Sequence, residues 1–175
     1  VIAALVKKFK GKDVRIVIVT GDKDMAQLVD SENDVEVHLN NGKGSGPLKY
    51  VELLVEEDVL DKYGVYPNKI PMLFGLIGDE SDKIPGCPGM HENVAIDLCN
   101  TYDSLDEIYA NNILEGELPD NFRALLKAHK ENVYKSEILA SPLLIEIHDT
   151  LGAFLYRNIS PEMVGYGLSV EPQIL

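Results

Sequence analysis

The clearest hydrophobic signal along the chain is VRIVIVT, Val14 to Thr20. Its β-branched, nearly continuous apolar run predicts a strand, of the parallel kind that is buried on both faces. Residues 1–9 (VIAALVKKF) have helical character and stop at Gly11, and a helix feeding a strand implies an α/β layer. Asp24 to Val29 predicts a short helix, and the alternating VEVHL of Val35 to Leu39 a second strand. NNGKGSGP at 40–47 predicts a flexible loop, after which a short strand near Lys49–Leu54 closes a hairpin. Glu56 to Tyr63 is a helix stopped by Gly64, and Pro67 to Leu76 another with proline in its first turn. The turn formers of GDESDKIPGCPG predict a loop, followed by helices over 92–100, 103–110 and 120–139. From Ser141 an apolar run, PLLIEIHD, leads into an irregular tail. There are no internal repeats, and the fold class is α/β followed by a helical piece.

Composition narrows this. Of 175 residues, 45% are hydrophobic, enough for a core and too many for global disorder. The net charge of −13, from 29 acidic and 16 basic residues, argues against a generic nucleic-acid binder, which needs a basic face. Carboxylates that hold divalent metals would add negative charge which the ions offset. Local basic stretches remain: Lys7, Lys8, Lys10, Lys12 and Arg15, then Arg123, Lys127, Lys130 and Lys135. No apolar run reaches bilayer length and no signal segment precedes Val1, so we expect a piece of a cytoplasmic protein with no membrane contact. Cys87 and Cys99 lack partners at zinc spacing and are expected as reduced thiols, though a disulfide between them stays open. His38, His91, His129 and His148 are scattered and form no Ser-His-Asp or Cys-His arrangement; the tyrosines are expected in the core.

Three motifs carry chemistry. GDKD (21–24) directly follows the apolar strand, and ligands of open α/β sheets gather beyond the carboxyl ends of strands. Asp22 and Asp24 could reach one hard cation there, although either alone reads better as a helix cap. GDESD (78–82) follows an apolar helix; on one helical turn Asp79 and Asp82 would share a face, the bland alternative being a solvated acidic turn. IPGCPG (84–89) leads into a helix whose N-terminal amides could meet a phosphate, or is an ordinary Gly/Pro turn.

Together, GDKDMAQLV, KYGV and GDESDKIPGCPG resemble the second half of the 5′-nuclease domain of the 5′-3′ exonuclease and flap endonuclease family, as in bacterial DNA polymerase I and phage 5′-exonucleases. The resemblance covers roughly residues 1–140. It implies a PIN-like core with a partial mixed sheet over 1–66, a helix–hairpin–helix DNA-binding subdomain over 67–139, and a C-terminal segment over 140–175 that returns to the core. It implies a phosphodiesterase with two Mg²⁺ or Mn²⁺ ions, for which Asp22, Asp24, Asp79 and Asp82 are both metal ligands and catalytic residues. The substrate would be DNA with a 5′ end or 5′ flap, in replication or repair, handled by a monomer. DNA contacts fall on Lys83, Gly86, Gly89, Met90 and His91, with Arg123 and Lys127 on the basic helix, and K⁺ on hairpin carbonyls.

The chain departs from the family pattern in two ways. An acidic Glu-x-Asp-Asp cluster normally lies just before the segment VIAALV, so the remaining metal ligands belong to an N-terminal remainder, and the chain alone is expected to be inactive. Where the family hairpin reads GIGxKTA, this chain has His91 for a Gly, Asn93 for a Lys and Val94 for a Thr, which predicts a weaker grip on DNA. Two rivals follow: a non-catalytic DNA-binding module of the same fold, and a metal-dependent phosphatase of another α/β family.

Overall fold

A computed structural model describes residues 1–40, 51–112 and 118–142. The expected loop beyond Asn40 and the apolar run and tail from 143 onward lie outside the described residues. Three strands form one mixed sheet in the order β1 (Ile16–Thr20), β2 (Val35–Asn40), β3 (Val51–Leu54). β1 and β2 run parallel, with Ile18 opposite Val37, and β2 and β3 antiparallel, with His38 opposite Leu53. Because side chains alternate across a strand, Ile18, Val35, Val37, Leu39 and Leu54 fall on one face and are buried. The other face carries Val17, Val19 and Leu53, which are 45%, 64% and 45% exposed. The expectation of a strand from Val14 buried on both faces is therefore corrected. Asp13 takes a left-handed φ of 52°, Arg15 turns out to a bidentate pair with Glu36, and the strand starts at Ile16 with one face open.

Helix α1 (Ile2–Phe9) lies against β1 and buries Ala3, Ala4, Val6 and Phe9, the stripe its sequence offers. The expected helix after β1 is a 3-10 segment, Lys23–Leu28, and Asp22 caps it: its Oδ1 accepts from the Asp24 N–H at 3.0 Å. In α2 (Glu56–Tyr63) the Asp58 carboxylate reaches back to the Val55 N–H at 3.0 Å, and Gly64 ends the helix at φ 72°.

Pro67–Lys69 forms a 3-10 turn that hands over to α3 (Ile70–Ile77), the most deeply buried helix. Ile70, Leu73 and Leu76 are almost wholly inaccessible, each stabilising the fold by about 1.5–3 kcal/mol relative to exposure. The remaining helices are α4 (Glu92–Thr101), α5 (Leu105–Asn112), α6 (Asp120–Ala128) and α7 (Lys130–Ala140). α3 packs along α7 at Gly75, where a Cβ would come within 3.0 Å of Glu137 Cβ. The helix expected over 120–139 is two, broken at His129 (φ −112°, ψ 17°), which caps the end of one and the start of the other. One continuous cluster runs from Val6 and Ile18 through α3 to Leu126 and Val133, so the sheet and the helical piece share a core. Cys87 and Cys99 are buried, unbridged thiols. Among the described residues no helix is long and apolar enough to cross a membrane.

Candidate metal centre

Two turns, far apart in sequence, meet beyond the carboxyl end of β1. The first follows Thr20, whose Oγ1 accepts from the Asp22 N–H at 3.0 Å; the Asp22 carboxylate then accepts from Asp24, and this presents Asp24 half-buried. The second follows α3. Gly78, at φ 79°, lets the chain double back so that Asp79 and Ile84 exchange backbone hydrogen bonds of 2.9 and 2.8 Å. A Cβ on Gly78 would sit 2.5 Å from the Ile84 carbonyl, so a side chain there is excluded. GDESDK lies in the expected loop as a closed turn, and this turn, not a helical one, brings Asp79 and Asp82 to one side.

Asp24, Asp79 and Asp82 each offer a carboxylate oxygen within 4.8 Å of the others. Asp22 stands outside that group and acts as the cap, while its charge still bears on Asp24. Burial pushes the Asp24 carboxyl above the usual range, and the charges of Asp22, Asp82 and Asp79 add to this against the relief from Lys23. Burial also pushes Asp79 upward, but hydrogen bonds from Ser81 and Lys23 outweigh it and hold the group below the usual range. The cation in contact is Lys23, whose Nζ donates to Asp79 Oδ2 at 3.0 Å and to Ser81 Oγ at 2.7 Å. An all-oxygen donor set with excess negative charge, already attracting an ammonium, fits a hard divalent ion.

The hairpin that follows is anchored inward. Gly86 is buried at φ 61°; its N–H donates to the buried Ser136 Oγ on α7 at 2.9 Å, and a Cβ would lie 2.2 Å from the Gly78 nitrogen. Gly86, expected among the DNA contacts, thus spends its amide on fixing the turn against α7. Gly89 is exposed at φ 87°, and Met90 is half-buried, its N–H donating to the Cys87 carbonyl at 3.0 Å. His91 precedes α4 without capping it by its side chain, and its exposed ring meets Phe122 edge-on at 5.2 Å. Lys83 is exposed at φ 59°. Of the basic positions, Arg123 pairs with Asp120, and Lys130 lies over the rings of Tyr109 and Tyr134 at 4.9 and 5.6 Å. Lys127 is exposed and makes no ion pair among the described residues. Sequence reasoning missed two participants. Lys23 was visible inside GDKD but had no assigned partner, and Ser136 was signalled only by its place three residues after Val133 on the buried face of α7.

Residues 65–148 match the family described as the 5′-3′ exonuclease, C-terminal SAM fold, and the chain belongs to the 5′-3′ exonuclease family through this C-terminal part. Its relatives include DNA polymerase I of Caldicellulosiruptor bescii, 37% identical over 85% of this chain and 17% of that protein. The 5′-3′ exonuclease of Buchnera aphidicola is 40% identical over 63% of this chain and 33% of that protein. The chain therefore spans about a sixth of the polymerase and a third of the free exonuclease. Among solved structures, bacteriophage T5 5′-exonuclease with divalent zinc bound aligns with a TM-score of 0.62 at 18% identity, covering 79% of this chain and 48% of that one. The T5 flap endonuclease in a pseudo-enzyme–product complex with DNA and metal ions aligns at 0.61 and 17%, covering 79% and 47%. At these identities the two structures speak for the fold alone.

Proposed function

We propose that the protein carrying this chain is a divalent-metal-dependent 5′-3′ exonuclease and flap endonuclease that hydrolyses DNA phosphodiester bonds in replication or repair. The observation that carries this reading is the meeting of Asp24, Asp79 and Asp82 from two remote turns within 4.8 Å, in a chain of this family. Mg²⁺ or Mn²⁺ ions at such a site would activate water and neutralise charge on the scissile phosphate. Asp24 and Asp82 are the ligands left open, Asp79 is held in place by Ser81 and Lys23, and Asp22 fixes the turn that presents Asp24. Residues 1–66 then supply part of the α/β core and 67–139 the helix–hairpin–helix subdomain. Two ions about 3.5–4 Å apart need more ligands than one cluster of three; the N-terminal remainder of a monomeric parent would supply them. A second reading, a DNA-binding module without catalysis, draws on His91, whose ring packs on Phe122 beside the hairpin.

The test is cleavage of a labelled 5′-flap DNA by the parent protein. The expected result is Mg²⁺-dependent cutting that Asp82→Asn lowers at least a hundredfold, consistent with the several kcal/mol a metal contributes to charge stabilisation, at about 1.4 kcal/mol per tenfold in rate, and no cutting by the 175-residue chain alone. Unchanged cutting by Asp82→Asn removes the site; DNA binding without any cutting by the parent leaves the second reading.

A further inference from the structure

Lys23 stands between Asp22 and Asp24 in the chain but reaches across to the other turn. Its ammonium occupies Asp79 Oδ2 and Ser81 Oγ, while Asp79 Oδ1 accepts from the Ser81 N–H at 2.8 Å and its hydroxyl at 2.6 Å. Both oxygens of Asp79 are therefore engaged. The carboxylates of Asp24 and Asp82 accept no hydrogen bond among the described residues, although they face the same space. Three like charges this close repel, and a cation beside them relieves the repulsion. Lys23 supplies one from within the chain, and it also ties the turn after β1 to the turn after α3 across 56 residues. The contact has the Lys23 side chain 45% exposed, so the ammonium can leave to water, whereas the Asp79 carboxylate, 10% exposed, is the fixed partner.

We propose that Lys23 is a positioning residue and built-in counter-cation: it holds the two acidic turns together without metal, and a divalent ion loads by displacing its ammonium from Asp79 Oδ2. This rests on the metal-binding reading of the cluster. Competition of this kind weakens divalent binding while keeping the carboxylates assembled. Replacing the ammonium by an uncharged chain of similar length removes the competitor, and an exposed charge pair of this type corresponds to a change of up to roughly fivefold in affinity.

The experiment is calorimetric titration of Mn²⁺ into the full chain and into its Lys23→Met, Lys23→Arg and Asp82→Asn variants, with melting temperatures in EDTA. The expected result is that Lys23→Met binds Mn²⁺ roughly two- to fivefold more tightly than the parent chain yet melts lower without metal. Lys23→Arg restores the weaker affinity, and Asp82→Asn loses most of it. Equal or weaker binding by Lys23→Met overturns the proposal. Absence of Mn²⁺ binding in both the parent chain and Lys23→Met is a different failure, that of the metal-binding reading itself, and the proposal falls with it. Should Lys23→Met not fold, the Lys23 ammonium protons of the unaltered chain decide: Mg²⁺ should abolish their slowly exchanging signal, and a signal that persists at saturating Mg²⁺ refutes displacement.

Discussion

Replacing Ser136 by alanine isolates the bond that fixes the hairpin to the helical core. Ser136 has no accessible surface, and its Oγ is the acceptor for the buried Gly86 N–H at 2.9 Å. Alanine leaves that amide without a partner, and the Gly86 backbone cannot swing aside because it lies against the Gly78 backbone. An unsatisfied buried donor costs about 1–3 kcal/mol. The better helix propensity of alanine on α7 offsets a few tenths of a kcal/mol, so a net loss of about 1–2.5 kcal/mol is expected. For a chain of this size that lowers the melting midpoint by about 2–4 °C per kcal/mol. Urea denaturation gives the free energy, and amide exchange gives its location: the Gly86 amide should exchange faster, by about tenfold per 1.4 kcal/mol. A variant within about 0.5 kcal/mol of the parent, the range of ordinary surface changes, with Gly86 exchange unaltered, refutes the reasoning.

Two further predictions concern charge. The folded Asp24 carboxyl lies above its ordinary value, so its ionised form opposes folding at pH above the folded value, and the penalty disappears below the ordinary one. Asp24→Asn should therefore raise the melting temperature in EDTA at pH 7 and lose that advantage in acid; an equal or lower midpoint at pH 7 contradicts it. In the parent protein, His91→Gly with Asn93→Lys should tighten DNA binding and steepen its salt dependence by about one phosphate contact. Binding titrations at several salt concentrations with no change in affinity or slope would exclude the hairpin as the anchor.

Much of the architecture was readable because local chemistry and tertiary packing agree. Gly64 stops α2 where its left-handed φ is needed, and the apolar run of α3 is a helix buried nearly all round. The strand followed by GDKD sets Asp22 and Asp24 beyond its end. What was hidden depends on contacts between distant residues. Val17 and Val19 have the same β-branched side chains as the buried Ile18, and only the layers around the sheet decide which face is covered. The break at His129 has no glycine or proline to mark it, and Phe122, Leu126, Val133 and Ser136 fit the spacing of one continuous helix as well as of two. Asp22 and Asp24 look alike in GDKD; only the turn geometry shows that Asp22 Oδ1 accepts from the Asp24 N–H while Asp24 comes within 4.8 Å of Asp79 and Asp82. The pairing of Gly86 with Ser136 joins residues 50 apart that no short pattern connects.

The open side of β1 has a practical consequence. Among the described residues this strand is the outer member of its sheet, with one row of backbone donors and acceptors facing away from β2 and two valines on the uncovered face. Such an edge is a template for any extended peptide, including a second molecule of the same sequence. The strand itself, Ile16–Thr20, carries no charge, and Arg15 beside it is already committed to Glu36. In isolation the five residues Ile16–Thr20 are thus a liability for edge pairing that the net charge of −13 opposes. Lysine at position 17 or 19 would be the economical way to keep preparations monodisperse at high concentration.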